Sequence, residues 1–421
     1  MKHIYFDYAA TTPVDKRVLK AMKPFLQQKS GFGNPGSLHW YGQEALTAMD
    51  NARVACAKFL ACHKDEVIFT ASATEANNLM IRGMVKGFFR QNGGCGIIPE
   101  IIVSSIEHPA VLETVKDLEK DGSIKAHYIS VDGDGVVDVS AIKQALNENT
   151  ILVSVMWVNN ETGVMQPITE ISEIIRNFRN FKLQDTSYKE TSNASQTSSI
   201  VHYPLFHTDA VQAAALHDCN VKKLGVDALT LSAHKVYGPK GVGLLFCDGD
   251  VLDAELIAPL ITGGGQERGF RSGTQNVAGM IGCAKALELC QQERQVAQKK
   301  MKEYNTLIRE LLEKALPSVS YNGGADYSSS HILNIHVSEK EHLATALDVG
   351  GVAVSSGSAC AQRRTKLSHV LGAMGHNEEH IKHSVRISMG RFVGRADIIA
   401  LAQAIVNVSK GRDVWCSQGL K

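Results

Sequence analysis

The sequence predicts an open α/β fold built on a mostly parallel sheet, and three observations predict it. Short apolar, β-branched runs recur along the chain: "DEVIFT" (65–70), "EIIVSSI" (100–106), "TILVSVMWV" (150–158), "DALTLSA" (227–233) and "GVGLLF" (241–246). Each run is apolar almost throughout, as a strand covered on both faces must be. Longer helical patterns separate the runs, so right-handed parallel crossovers are the expected connections. A chain of 421 residues, 44% of them hydrophobic, can bury a large core and suggests two or three domains. The one compositionally biased segment, "KETSNASQTSS" (189–199), is polar and rich in Ser and Thr, which predicts a mobile surface insertion.

Composition restricts the partners. Lys and Arg total 44 against 43 Asp and Glu, a formal net charge of +1, so no global field draws the chain to nucleic acid or to an anionic membrane. No run approaches the ~18 apolar residues of a membrane span, and Met1-Lys2-His3-Ile4-Tyr5 lacks the apolar core of a secretory leader. A cytoplasmic location is expected. Nine cysteines without a C-x-x-C pair argue against both a disulfide framework and a four-thiolate zinc site.

In an open α/β sheet ligands bind beyond the carboxyl ends of the strands. After "VIFT" come Ala71-Ser72-Ala73-Thr74-Glu75, after "IIVSSI" Glu107 and His108, and after "ILVSVMWV" Asn159, Asn160 and Glu161. Asp209 precedes "AVQAAA" with Gln212 three residues on, and "ALTLSA" ends in His234 and Lys235. Taken singly, Lys235 reads as a surface lysine before the "YGPKG" turn, His108 as the start of a helix at Pro109, and Asp209 as a helix cap. Together they suit a phosphorylated, cationic aromatic ring. A lysine forms a Schiff base, an acid pairs with a pyridinium nitrogen, an imidazole stacks on the ring, and helix N-terminal amides hold a phosphate. Pyridoxal 5'-phosphate needs all four. His376, His380 and His383 in "HNEEHIKH" have the spacing of one helical face but fit a solvated helix better than a metal site. "GDG" at 133–135 is a turn, not a dinucleotide loop.

The segments "YFDYAATTPV", "FGNPGSLHWYGQEA", "FTASATEANNL", "EHPAVLETV", "VNNETGVMQPI", "FHTDAVQ", "LSAHKVYGPKGVG", "GGGQERGFRSGTQN", "SSGSAC" and "VRISMGRF" together resemble the cysteine desulfurases, in order and across nearly the whole chain. These are class V, fold type I pyridoxal-phosphate enzymes that supply sulfur for iron-sulfur cluster assembly. The resemblance implies a large domain over 15–293 with a mostly parallel seven-stranded sheet flanked by helices. A smaller α+β domain from 1–14 and 294–421 would carry the catalytic cysteine loop, and an insertion would span about 178–204.

Residue by residue, the resemblance implies that Lys235 carries the cofactor and acts as base, that Asp209 pairs with its ring nitrogen, and that His108 stacks on the ring. Gln212 and Asn160 would bond the phenolic oxygen, while the Ala73 amide, Thr74, Ser232 and His234 would hold the phosphate. Thr274 would reach the neighbouring subunit's phosphate, making a homodimer obligatory. Arg386, helped by Asn34, would bind the substrate carboxylate, for which a guanidinium offers two parallel bonds. Cys360, in the Gly/Ser-rich "SSGSACAQRRTK" with Arg363, Arg364 and Lys366 nearby, would take the sulfur as a persulfide. L-cysteine would be the substrate and a sulfur-acceptor protein the partner. The same ring chemistry serves a selenocysteine lyase or related lyase. A silent scaffold is disfavoured by the joint presence of Lys235, Cys360 and Arg386. Ser72, Ala233 and Leu367 stand where the family commonly has glycine, glycine and proline. The C-terminal "GRDVWCSQGLK" is shorter than the tail with which the housekeeping members dock their scaffold, which leaves the acceptor open.

Overall fold

Seven strands of four or five residues form the main sheet of this computed structural model, which describes residues 3–28, 31–93, 96–184, 203–356 and 367–415. The strands are β1 (Ile4–Tyr5), β2 (Val67–Thr70), β3 (Glu100–Ser104), β4 (Lys125–Ile129), β5 (Thr150–Ser154), β6 (Leu205–Asp209), β7 (Ala228–Ser232), β8 (Gly243–Cys247), β9 (Ser320–Tyr321), β10 (Ile332–His336), β11 (Val352–Ala353) and β12 (Ser384–Ser388). The main sheet runs β2-β8-β7-β6-β5-β3-β4. The five apolar runs became β2, β3, β5, β7 and β8, and every residue in them is buried. Side chains alternate between two cores: Ile101 and Val103 face one, Ile102 the other; Leu245 faces the first, Leu244 and Phe246 the second. Each fully buried apolar side chain contributes about 1.5–3 kcal/mol.

Two strands were not legible as apolar runs. β4, "KAHYI", lies at the sheet edge with only Ile129 fully buried. β6, "LFHTD", is central and wholly buried although half polar. Its polar groups are matched from its neighbours: His207 bonds Ser154 Oγ at 2.9 Å and Thr230 Oγ1 at 3.0 Å, and Thr208 Oγ1 donates to the Val155 carbonyl at 2.8 Å. Burial drives His207 down to about 4, so it is neutral at pH 7. β8 is antiparallel to both β2 and β7, where a parallel strand was expected. Only residues 233–242 join β7 to β8, too few for a parallel crossover.

Helices cover both faces. Trp40–Leu60 and Val277–Ala315 pack on one, Ala73–Asn92 and Pro109–Lys120 on the other. A three-stranded antiparallel sheet, β12-β10-β9, and the parallel pair β1-β11 lie beside this body. The amino-terminal segment joins the two: Ala9 N donates to Ser388 Oγ at 2.9 Å, and Thr12 Oγ1 to the His234 carbonyl at 2.9 Å. Residues 178–184, assigned above to the insertion, end the helix Ile168–Gln184, whereas 185–202 lie outside the described residues. No helix among the described residues is long and apolar enough to cross a membrane.

Candidate active site

The strand ends converge on one cavity of about 250 Å³, lined by Ala73, Thr74, His108, Asn160, Asp209, Gln212, Ser232, His234, Lys235 and Arg386. Ten of the thirteen residues singled out above therefore meet in one place. A second cavity of about 390 Å³ adjoins it at Gln212 and Lys235. The first brings Lys235 together with Asp209, His108, His234 and Arg386.

Lys235 ends the single 3-10 turn Ala233–Lys235 that follows β7. Its Nζ donates to the carbonyl oxygens of Ala9 and, at 2.8 Å, of Ala10. The same Ala9 carbonyl accepts from Gln212 Nε2 at 2.9 Å, so the amino-terminal strap positions both side chains through its backbone. Asp209, at the end of β6 and 4% exposed, accepts from Val211 N through Oδ1 at 3.0 Å. Its other oxygen, Oδ2, accepts from Asn77 Nδ2 at 2.8 Å. Asn77 lines the cavity and was not singled out from the sequence. The signal was present: it is polar within the buried stripe Ala76, Asn77, Met80, Ile81, Met84 of its helix.

His108 caps the helix Pro109–Lys120, its Nδ1 accepting from Ala110 N at 3.1 Å. Burial lowers it below the ordinary imidazole range, assisted by Lys235 and His369 and opposed by Asp209. The ring is therefore neutral at pH 7. Burial, with Lys235 and Lys240 nearby, takes His234 down to about 4; its Nδ1 pairs with Thr11 Oγ1 at 3.1 Å. Glu107 is fully buried between the site and the core. Oε1 accepts from Ser104 Oγ at 2.5 Å and Met156 N at 2.6 Å, and burial, reinforced by Asp209, pushes its carboxyl up to about 8.

Arg386, on β12, is 1% exposed. It donates to the Asn160 carbonyl at 2.8 Å and to Asp7 Oδ1 at 2.6 Å. The other three residues lie elsewhere. Asn34 is not among the cavity's lining residues, and its Oδ1 accepts from Gly36 N at 2.9 Å in its own turn. Thr274 lines a separate cleft of about 120 Å³ with Thr70, Arg271 and Gly273. Cys360, with Arg363, Arg364 and Lys366, lies outside the described residues.

The residues fit pyridoxal 5'-phosphate. The helix Ala73–Asn92 opens at the cavity wall, where its first-turn amides have no intrahelical acceptor. Ser72 caps it, accepting from Glu75 N at 3.1 Å. Its φ of −168° is extended backbone open to any residue, so serine costs nothing there. Gly243 on β8 packs against this corner; a Cβ would come within 2.4 Å of the Ser72 carbonyl carbon and 2.7 Å of Ala73 N. Asn77 Oδ1 and Arg386 Nε are buried and have no hydrogen-bond partner among the described residues. Both residues line the cavity, and leaving such atoms unpaired costs about 1–3 kcal/mol each, which favours a polar occupant.

The histidine motif has a different geometry from the one its spacing suggested. The helix is only Glu378–Lys382, because Asn377 caps it. His376 stacks on His380 at 4.0 Å, and His380 on His336 at 3.9 Å.

The chain is similar to proteins of a known family. The family model described as aminotransferase class-V matches residues 4–187 and 193–401. "Cysteine desulfurase IscS" of Dictyoglomus turgidum is 39% identical over 94% of this chain and 92% of its own length. Among solved structures, a "NIFS-LIKE PROTEIN" superposes with a TM-score of 0.83 at 33% identity, covering 97% of this chain and all of that one. One titled "SspA in complex with cysteine" superposes at 0.73 with 34% identity over 91% of this chain and 98% of its own. The chain belongs to the class-V aminotransferase family and, within it, to the cysteine desulfurases.

Proposed function

We propose that this protein converts L-cysteine to L-alanine and passes the sulfur, held as a persulfide on Cys360, to an acceptor protein for iron-sulfur cluster assembly or thiolation. The observation that carries the reading is the convergence of Lys235, Asp209, His108 and Arg386 on one cavity. Bound there, pyridoxal 5'-phosphate supplies an electron sink conjugated to the substrate amine. Lys235 anchors it and then moves the proton at the substrate Cα. Asp209 holds the positive charge at the ring nitrogen and neutral His108 covers the ring face. Gln212 and Asn160 hold the phenolic oxygen. Thr74, Ser232, His234 and the Ala73 amide hold the phosphate, with Thr274 contributing from the other subunit of a homodimer.

Arg386 releases Asp7 to take the substrate carboxylate, and Asn34 assists. Cys360 thiolate attacks the substrate sulfur: an S–S bond forms as the Cβ–S bond breaks. The electron pair of the broken bond stays on carbon and takes a proton, giving the methyl group of alanine. Residues 15–293 form the large domain and 1–14 with 294–421 the small one, and the enzyme works in the cytoplasm. The test is to add cysteine to the purified, cofactor-loaded protein and measure alanine and persulfide sulfur. Equal amounts of both are expected. Turnover of selenocysteine without turnover of cysteine would overturn the reading in favour of a selenocysteine lyase.

A further inference from the structure

The geometry points to Asn77 as the positioning residue for Asp209, holding one carboxylate oxygen so that the other side of the group is presented to the cavity. This rests on the proposed function, in which Asp209 faces the cofactor's ring nitrogen.

Asn77 projects from the second turn of the helix Ala73–Asn92, the same helix whose first turn offers Ala73 and Thr74 to the cavity. It is 0% exposed. The Asn77 Nδ2 to Asp209 Oδ2 bond of 2.8 Å spans 132 residues of sequence. An ionised carboxylate accepts and cannot donate, so the amide must turn its NH2 toward Asp209. That leaves Oδ1 on the other side, buried and without a partner among the described residues. An orphaned carbonyl in a core helix is a cost, and the donor bond to Asp209 offsets it.

The arrangement fixes both rotation and register. Val211 N holds Oδ1 of Asp209 from the chain that follows β6, and Asn77 holds Oδ2 from the helix across the sheet edge. With its two oxygens clamped from different elements, the carboxylate cannot swing away from the cavity. A bond between an amide and a charged acceptor is among the stronger ones. The helix thereby sets two features at once: the amides at its first turn and, one turn later, the orientation of the acid. A rigid link between them defines one seat for a ligand carrying an anionic group at one end and a protonated ring nitrogen at the other.

Two variants test it. Asn77→Leu is close in volume and removes the donor. Asn77→Asp keeps the shape and replaces the donor by an acceptor facing Asp209, except where the new carboxyl carries a proton and donates in the amide's place. Each variant and the wild type are loaded with pyridoxal 5'-phosphate. Two readouts follow: the rate of cofactor loss on dilution into cofactor-free buffer, and circular dichroism in the cofactor's visible band, which reports its orientation. Asn77→Leu should lose cofactor about ten-fold faster than wild type, as expected for one lost bond to a charged group, with an altered visible band at every pH. For Asn77→Asp the ratio to wild type should rise with pH as the new carboxyl loses its proton and faces Asp209 as a second acceptor. The altered visible band in Asn77→Leu, which keeps the volume, is the change a merely space-filling role would not give. Unfolding midpoints of the cofactor-free proteins report folding, and where Asn77→Leu fails to fold, the isosteric Asn77→Asp carries the test. Wild-type retention and an unchanged band in Asn77→Leu, or a pH-independent ratio in Asn77→Asp, would overturn the inference. If the wild type itself took no cofactor on Lys235, the functional reading would fail instead.

Discussion

Arg53 and Glu267, 214 residues apart, meet as a two-armed ion pair, Arg53 Nη2 to Glu267 Oε1 at 2.7 Å and Nη1 to Oε2 at 2.9 Å. Glu267 Oε2 also accepts from Phe69 N at 2.8 Å. The pair ties the strap that carries Thr274 to β2, the strand leading into Ala73 and Thr74. The strap needs the tie: Glu267 and Arg268 both sit in the left-handed region, at φ +50° and +56°, where neither residue type is comfortable. Arg271, on the same strap, bonds Glu75 Oε1 at 2.7 Å in the first turn of the helix that follows.

Glu267→Ala leaves the Arg53 guanidinium buried without its counter-charge. Breaking a buried pair from one side costs about 3–5 kcal/mol, so the urea midpoint should fall steeply. A drop below about 1 kcal/mol would mean that the strap is held by other contacts.

Glu107 sets a pH dependence of stability. Its carboxyl is pushed from the ordinary 4.5 up to about 8 in the native state. Between those values the native protein holds a proton that the unfolded chain has released. The stabilisation is therefore complete below about 4.5 and lost as pH rises through about 8. Glu107→Gln should flatten that slope, by an amount of order a few kcal/mol at most. Buried His331, lowered to about 3, and His207, lowered to about 4, act oppositely: their contribution is present above about 6.5 and lost on acidification. Urea midpoints from pH 5 to 9 for both proteins check this, and parallel curves would contradict it.

Thr274 and Lys235 should complement across subunits. Mixing Thr274→Ala with Lys235→Ala chains puts both defects in one site of a heterodimer and leaves the other site intact. Activity should return to about half that of a wild-type dimer for each heterodimer formed. No recovery in verified heterodimers would show that Thr274 serves its own chain.

Sulfur should reside on Cys360. Burial works against three of the other cysteines as thiolates: Cys219 is pushed up to about 12, Cys62 to about 12 and Cys290 to about 11, and the thiolate is the reactive form. Cys360→Ser should keep the cofactor's colour and its spectral response to cysteine while persulfide disappears and alanine falls to background. Persulfide mapped to another cysteine by mass spectrometry would name a different carrier.

Much of this site was legible because the chemistry sits where apolar runs stop. His108, Asn160 and Lys235 each follow an apolar run closely, and that rule gathered them; Asp209 ends β6, whose half-polar sequence hid the strand, and stood out only as the acid before "AVQAAA". What escaped was carried by other means. The Ala9 and Ala10 carbonyls act through backbone, to which their side chains give no clue. Asn77 hid inside a helical stripe whose period points to core. β4 hid because an edge strand need not be apolar. The direction of β8 depended on the length of a connection, a geometric quantity that an apolar run does not encode. The pairing of Arg386 with Asp7 joins residues 379 apart, beyond the reach of any local pattern.

The central claim is that Lys235 carries the cofactor, and borohydride reduction of the loaded protein tests it most directly. Reduction followed by digestion and mass spectrometry should place the pyridoxyl label on the peptide containing Lys235, and Lys235→Ala should take no covalent label while still binding cofactor through its remaining contacts. A label on any other lysine, Lys240 being the nearest alternative in sequence, would contradict the account.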